Sequence, residues 1–327
     1  MPLKMRPVLK ISLFILLLMS FFCLSGQDKK SNTKKKYPSW KDNYYKYSSN
    51  NPVISAKKLF RLQATPSDTT LPVDKLKGVE IINANGAFLT YISESIKDLQ
   101  SLKSLNLTWT HLNYFPKVVF KMPQLICLDL AFRNSSVIVD TLTHNFSMLP
   151  NLELLSLISC KLNDVPDQVT RMRRLKYLDL SQNSIEILSD SIGKLDSLID
   201  LDLSQNKIDH LPGNLRNLKY LENLSLNNNQ LTSFPLIIFK LSNLQELDLR
   251  NNDIRTLPQD LLQLGNIRIL KINNNPNLYI SSEFAQQLNK GCPALEKIFL
   301  DGTTYRNYEI TEFKKIFTSR ITFFRND

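Results

Sequence analysis

The side chains best suited to chemistry in this 327-residue chain are three histidines, four cysteines and a series of regularly spaced aspartates. His111, His144 and His210 show no His-x-x-x-His spacing, and no Cys-x-x-Cys pair occurs, so a metal site has no sequence support. A G-x-S-x-G elbow and a glycine-rich phosphate loop are also absent from the sequence. We therefore expect no catalytic residues, no metal and no cofactor, and predict that the protein is not an enzyme.

The aspartates follow a sequence repeat with a period of 23 residues. Regular copies begin at Leu175, Leu198, Leu221, Leu244 and Ile267, and less regular ones at Leu76, Leu102, Leu125, Leu152 and Leu295. A period of this length is typical of a solenoid, so we predict ten coils over residues 76–303. The first residues of the coils from Leu76 to Leu175 are separated by 26, 23, 27 and 23 residues. The first and third coils are thus expected to carry insertions, the third in Arg133–Pro150.

Each coil combines two apolar spacings. Leu201 and Leu203 alternate as in a strand, whereas Leu215 and Leu218 are three residues apart, as on a helical or 3₁₀ return. The motif from Leu198 to Pro212 resembles the leucine-rich repeat family, in the 23-residue Leu-Pro form of its Ras-group and bacterial members. The resemblance covers about 230 of the 327 residues. It implies a curved α/β solenoid with a parallel sheet on the concave face, short helices or 3₁₀ segments on the convex face, and a protein-binding role.

A polar residue recurs where the chain leaves each strand. The amide side chains are expected to satisfy backbone groups that the bend leaves unpaired, forming a ladder from coil to coil. Cys160 occupies this position in its coil, where the family resemblance implies a small buried cysteine in place of asparagine. The ladder residues are Cys160, Asn183, Asn206, Asn229, Asn252 and Asn275.

Candidate ligand-binding residues are expected on the concave face. Asp179 and Asp202 lie between strand leucines. They either belong to an acidic stripe that binds a ligand, or are polar residues that keep an uncovered sheet soluble. Upstream coils place apolar and aromatic residues on the same face, and Ile82 is expected to project there as well. Trp109 and Phe132 should stack about 4.8 Å apart in adjacent coils. They either anchor a ligand or form a core under the 133–150 insertion, which would then be an N-terminal cap. The full candidate set is Trp109, Phe132, Leu154, Ile158, Tyr177, Asp179 and Asp202.

The ends of the chain have other compositions. Residues 1–26 contain Lys4, Arg6 and Lys10 before the apolar run 11–25, as in a secretory signal peptide, which predicts export to the periplasm, the cell surface or the medium. The same run would otherwise be a retained membrane anchor, or Cys23 would be lipidated. Residues 27–75 are predicted to be a basic Lys-, Tyr- and Ser-rich tether. Residues 304–327 are predicted to cap the last coil, with helical spacing over 308–317 and a short strand over 321–324.

The net charge of +11 is concentrated outside the repeats. Residues 27–75 carry eleven Lys and Arg against four Asp and Glu, whereas residues 76–327 carry 27 against 26. A nearly neutral solenoid is not predicted to bind nucleic acid. The basic tether is either a solvated linker or a contact with anionic lipid or an envelope polymer.

Cysteine usage argues against a disulfide framework. Cys127 and Cys160 differ by six positions within their coils, roughly 20 Å along the strand direction, which is too far for a disulfide. Cys127 is expected to point outward, and Cys292 lies in the last coil.

Together these features predict an exported, non-enzymatic module that binds a protein or peptide on its concave face. One alternative is an envelope-associated structural or adhesion protein held by the basic tether. Another is a membrane-anchored scaffold that faces the cytoplasm. The sequence assigns no oligomeric state.

Overall fold

The computed structural model describes residues 59–61, 70–132, 146–301, 305, 307–318 and 321–324. The apolar run 11–25, Cys23, most of the segment 27–75 and the core of the 133–150 insertion lie outside these residues. In the described part, no helix has the length and apolar character that crossing a bilayer requires.

One sheet of twelve parallel strands, ordered as in the chain, forms the body of the fold. The ten predicted coils correspond to β2–β11, and the strand predicted over 321–324 adds β12. An additional strand, β1, pairs with β2 from within the segment predicted to be a tether. The strands are β1 (Leu59–Arg61), β2 (Ile81–Asn83), β3 (Ser104–Thr110), β4 (Cys127–Phe132), β5 (Leu154–Ile158), β6 (Tyr177–Asp179), β7 (Asp200–Asp202), β8 (Asn223–Ser225), β9 (Glu246–Asp248), β10 (Ile269–Lys271), β11 (Lys297–Asp301) and β12 (Ile321–Phe324).

The chain returns between strands mostly through single 3₁₀ turns. A 23-residue coil leaves only about five residues for the return, which suits the short 3₁₀ helix. Serine or proline precedes several of them; Ser189, for example, accepts a hydrogen bond from the Ser191 backbone N–H. The 3₁₀ helices are Val73–Lys75, Glu94–Asp98, Lys117–Lys121, Phe146–Met148, Val169–Arg171, Asp190–Lys194, Gly213–Asn217, Leu236–Lys240 and Gln259–Gln263.

Two α-helices occur near the C-terminus. Helix α1, Ser282–Gly291, fills the 28-residue interval before Leu295, where the sequence analysis specified no helix. Helix α2, Asn307–Phe317, covers the segment with predicted helical spacing. Phe313 and Phe317 are buried, and the Phe313 ring packs edge-on against Tyr305 with ring centroids 5.0 Å apart. These rings cover apolar side chains at the end of the stack, which would otherwise face water.

Leucine side chains stack into one continuous core between the sheet and the returning segments. Burial of each such side chain contributes roughly 1.5–3 kcal/mol, so the stack as a whole is the main source of stability. In the coil of β7 the fully buried side chains are Leu198, Leu201, Leu203, Ile208, Leu215 and Leu218.

In the first coil, the residues that face the core differ from those predicted. Ile82 pairs with Leu105 of β3 and is fully buried, so Val79, not Leu76, is the equivalent of Leu102. The interval from Val79 to Leu102 is then 23 residues, and the predicted insertion in this coil is wrong. The prediction that Ile82 projects from the concave face is wrong for the same reason. Adjacent Ile81 and Ile82 allow either phase of alternation, and pairing with β3 selects one.

The three described cysteines, Cys127, Cys160 and Cys292, are free thiols and all are buried. Cys127 was expected to point outward but is only 2% exposed. Burial raises the pKa of the Cys127 thiol well above its ordinary value. A buried, protonated thiol is a poor nucleophile, so none of these side chains is arranged for cysteine chemistry.

Candidate functional site

The strands place alternate side chains on opposite faces of the sheet. On β7 and just after it, Leu201 and Leu203 point into the core and are fully buried, whereas Asp200 and Asp202 point the other way. We call this second surface, which faces away from the leucine core, the concave face. Each coil therefore presents a short row of non-leucine side chains, and neighbouring coils hold these rows in register.

The ladder amides fix the end of each row. Asn206 Oδ1 accepts a hydrogen bond from the Ile185 backbone N–H at 3.0 Å, and its Nδ2 donates to the carbonyls of Leu180 and Leu203, both at 3.0 Å. Cys160, at the same position of its coil, makes a weaker hydrogen bond, in which Sγ donates to the Ile158 carbonyl at 3.5 Å. Because the amide links neighbouring coils, it holds their concave rows at a fixed spacing. Equivalent contacts are made by Asn183, Asn229, Asn252 and Asn275.

The residue before the ladder position adopts a left-handed backbone conformation. In regular coils it is Gln or Asn, such as Gln205 with φ 54° and Asn228 with φ 56°. On β3 the same position is Trp109, with φ 57° and a half-buried side chain. A bulky residue pays roughly 1–2 kcal/mol for this conformation, which asparagine tolerates better.

Trp109 is also skipped in the pairing of its strand. Thr108 pairs with Ala131 and Thr110 pairs with Phe132, so Trp109 is the bulged residue. The predicted stack of Trp109 directly beside Phe132 therefore differs from the observed register. The Phe132 side chain lies outside the described part of the structure.

Four predicted site residues lie together on the central strands. Leu154, Tyr177, Asp179 and Asp202 line one small depression across β5–β7. Leu154 is paired with Tyr177 on the concave face, and Leu154 and Asp179 are each only 4% exposed. Ile158 lies further along β5 and is half-buried. Ser156 and Asp200, which the sequence analysis did not select, complete the lining.

The central carboxyl groups lie in a low-polarity environment. Burial raises the pKa of the Asp129 carboxyl well above its ordinary value, and the nearby charge of Asp179 adds to the effect. Burial likewise raises the pKa of Asp200, although a hydrogen bond from Asn223 Nδ2 at 2.9 Å acts in the opposite direction. Each carboxylate would be stabilised by a positively charged group beside it.

A buried serine hydroxyl lies within this acidic region. In the sheet register Ser156 is paired with Asp129 on one side and Asp179 on the other. Ser156 is 2% exposed, and its Oγ has no hydrogen-bond partner among the residues that the structure describes. No histidine lies among the described residues that line the depression. The arrangement is suited to binding a hydrogen-bond donor.

Further along the sheet the acidic side chains are neutralised. Arg250 Nη2 lies 2.6 Å from Asp248 Oδ2, and Lys271 forms an ion pair with Glu246 and lies 3.8 Å from Asp248. On β4, β6 and β7 the concave positions carry Asp129, Asp179, Asp200 and Asp202. Within the described ranges, no group of three or more His, Cys, Asp or Glu side chains has the arrangement of a metal site.

Comparison with known proteins identifies the repeats. A family model described as a leucine-rich repeat region matches residues 134–290. The chain contains a leucine-rich repeat region. No curated protein sequence gives a significant match to this leucine-rich repeat chain.

Solved structures share the leucine-rich repeat fold at low identity. An internalin (inlF) from Listeria monocytogenes is 20% identical with a TM-score of 0.50, over 78% of this chain and 83% of that one. A second Listeria monocytogenes internalin (inlC2) is 22% identical with a TM-score of 0.52, over 64% and 84%. A TDR receptor is 21% identical with a TM-score of 0.59, over 81% of this chain and 48% of the receptor. At these identities the likeness shows the curved α/β solenoid fold alone.

Proposed function

We propose that the chain is a non-enzymatic module that binds a protein or peptide on its concave face, centred on β5–β7. The observation that carries the proposal is the depression in which aliphatic Leu154 and aromatic Tyr177 adjoin the carboxylates of Asp179 and Asp202. Apolar contact and hydrogen-bonding groups side by side are what a polypeptide ligand requires.

Two further considerations support this role. Leucine-rich repeat proteins are commonly protein-binding modules, and the structural neighbours include internalins and a receptor. Trp109 adopts a backbone conformation that is unfavourable for a bulky residue, and such strain is often associated with a functional side chain. We therefore place Trp109 and Ile158 at the periphery of the proposed binding surface, with Phe132 as a further candidate.

A matched pair of tyrosine variants tests the binding surface. Tyr177→Ala removes a ring from the concave depression, whereas Tyr220→Ala removes one that is 63% exposed and does not line that depression. We expect proteins retained from an extract of the native host by the wild-type chain to be retained by Tyr220→Ala and at least tenfold less by Tyr177→Ala. Equal retention by both variants, with unchanged circular dichroism, would exclude the depression as the binding surface.

We further propose that the protein is exported, with the concave face outside the cytoplasm. The support is the layout of residues 1–26, where basic residues precede an apolar run. Intact-mass spectrometry of protein from its native host should show a chain that lacks about the first 25 or 26 residues. A full-length mass would instead support the membrane-anchored scaffold, and a mass increased at Cys23 would support lipidation.

A further inference from the structure

A cleft of about 300 Å³ lies between the chain segments that return to β5 and to β6. We call it the arginine cleft, because Arg171, Arg173 and Arg174 belong to its lining. The residues that line it lie outside the concave rows. The 3₁₀ helices beside it, Phe146–Met148 and Val169–Arg171, have three residues each, whereas the four that follow have five each. Shorter helices fill less of the outer side of the solenoid, which leaves space between these two coils.

The floor of the arginine cleft is apolar and held in place by packing. Phe146 and Leu149 line it from one coil and Met172 from the next, and each of these side chains is buried. The Phe146 ring packs edge-on against Phe120 with ring centroids 5.3 Å apart. Met148, beside the cleft in the same 3₁₀ helix, is 47% exposed. A fixed apolar floor next to an exposed methionine is suited to receiving one apolar side chain of a ligand.

The three arginines are exposed and have no described counter-charge. Among the residues that the structure describes, no acidic side chain lines the cleft, and none of the three guanidinium groups forms an ion pair. Arg174 Nη1 donates a hydrogen bond to the neutral Asn151 Oδ1 at 2.9 Å. Three positive charges within four consecutive residues repel one another, and an anion bound between them would remove that repulsion.

Other coils do not repeat this arrangement. One period after Arg173 the chain has Asp196, which forms no ion pair with a described residue. At the position of Arg174, later coils carry Asn243 and Asn266, whose amides donate to backbone carbonyls of the preceding coil at 2.6 and 2.7 Å. Those coils stack without arginine at these positions. Regular stacking therefore does not account for the three arginines.

The two parts of the cleft together indicate the chemistry of its ligand. A guanidinium group binds a carboxylate through two parallel N–H···O hydrogen bonds. The floor accepts an aliphatic or aromatic side chain. A peptide in which acidic residues flank an apolar one satisfies both requirements, whereas an inorganic anion would use the arginines alone. The flat surface of a bilayer would not reach a recessed floor.

We infer that the arginine cleft binds an acidic peptide segment of a partner protein. An apolar side chain of that segment lies on the floor formed by Phe146, Leu149 and Met172, and its carboxylates lie on the arginines. The cleft is separate from the concave depression, so the inference does not rest on the proposed function. It leaves the concave face available to another ligand. Binding in the cleft would weaken as ionic strength rises.

Fluorescence anisotropy of labelled acidic peptides tests the inference on the full-length chain. The probe has one phenylalanine between two pairs of glutamates, and a comparison peptide has serine in place of the phenylalanine. We expect the wild-type chain to bind the phenylalanine peptide about tenfold more tightly than the serine peptide, because only the first fills the apolar floor.

Two charge-matched double variants locate the bound peptide. Arg171→Gln with Arg173→Gln should weaken binding about tenfold or more, because the carboxylates lose two guanidinium partners. Lys194→Gln with Lys219→Gln removes the same charge at exposed positions of later coils, where Lys194 corresponds to Arg171 and Lys219 to Arg173 in the repeat. This control should change the affinity less than about twofold, because distant surface charges are screened. Circular dichroism should be the same for both double variants and the wild-type chain.

Three results would overturn the inference. Absence of binding between the wild-type chain and the phenylalanine peptide at low ionic strength would exclude an acidic peptide as the occupant. Equal affinity for the two peptides, or full displacement by an equal concentration of inorganic phosphate, would show a general anion site. Binding of phosphatidylglycerol vesicles that the arginine variant loses, without peptide binding, would assign the cleft to a lipid surface. Tyr177→Ala should leave peptide binding unchanged, which separates this test from that of the concave face.

Discussion

Replacing Asn206 by alanine is expected to lower the free energy of unfolding by about 1–3 kcal/mol. Asn206 is 8% exposed, and its amide serves the Ile185 N–H and the carbonyls of Leu180 and Leu203. Alanine leaves the Ile185 N–H unpaired in a buried turn, at roughly 1–3 kcal/mol, whereas the carbonyls of Leu180 and Leu203 keep hydrogen bonds from the neighbouring ladder amides. Urea unfolding followed by circular dichroism measures the loss.

Two other substitutions serve as controls for the loss of stability at Asn206. Asn243→Ala removes an exposed asparagine that also donates to a backbone carbonyl, that of Lys219, and should change stability by less than about 0.5 kcal/mol. Asn206→Cys introduces the residue type that occupies the ladder position at Cys160. It should lower the free energy of unfolding less than alanine does, because Sγ keeps one weak hydrogen bond. A loss at Asn206→Ala no larger than at Asn243→Ala would contradict a structural role for the ladder.

Replacing Gly193 by alanine is expected to destabilise the convex side by about 1–3 kcal/mol or more. A Cβ atom at Gly193 would lie 2.3 Å from the carbonyl oxygen of Asn214 in the next coil. The contact is with backbone, so the two 3₁₀ helices must separate to relieve it. Separation would weaken the packing of Ile192 and Leu215, which are both fully buried.

The next 3₁₀ helix supplies the matched control. Gly213 begins it, and a Cβ there meets no atom within 4 Å. Gly213→Ala should be neutral or slightly stabilising, because alanine restricts the unfolded chain. Thermal melts of both variants distinguish the explanations: similar melting temperatures would show that close approach of the helices at Gly193 is not needed.

The structure of the regular coils could be predicted because each coil repeats the same spacing of apolar residues. Leu201 and Leu203 alternate, Leu215 and Leu218 are three apart, and the observed strand and 3₁₀ helix lie where these spacings place them. The first coil was placed three residues too early because Val79, Ile81 and Ile82 are all apolar. Only the pairing of Ile82 with Leu105 resolves that ambiguity, and pairing is not visible in one coil alone.

The candidate site was only partly predictable. Leu154, Tyr177, Asp179 and Asp202 were selected from the sequence and line one depression, but Ser156 was not selected. Its significance depends on burial and on an absent hydrogen bond, which three-dimensional packing determines. The bulge at Trp109 was missed for a related reason, because a tryptophan gives no local signal for a positive φ.

Because strands β6–β10 pair in a uniform register, the protein can be lengthened or shortened by whole coils. The strand starting at Tyr177 pairs with the one starting at Asp200, then at Asn223 and Glu246, always 23 residues on. Excising 23 residues from this region would join surfaces that already match, and the leucine stack would close with one layer fewer. Excising 22 would instead turn every later leucine toward water. Duplication and loss of single coils can therefore lengthen or shorten the concave surface while each remaining coil keeps its contacts.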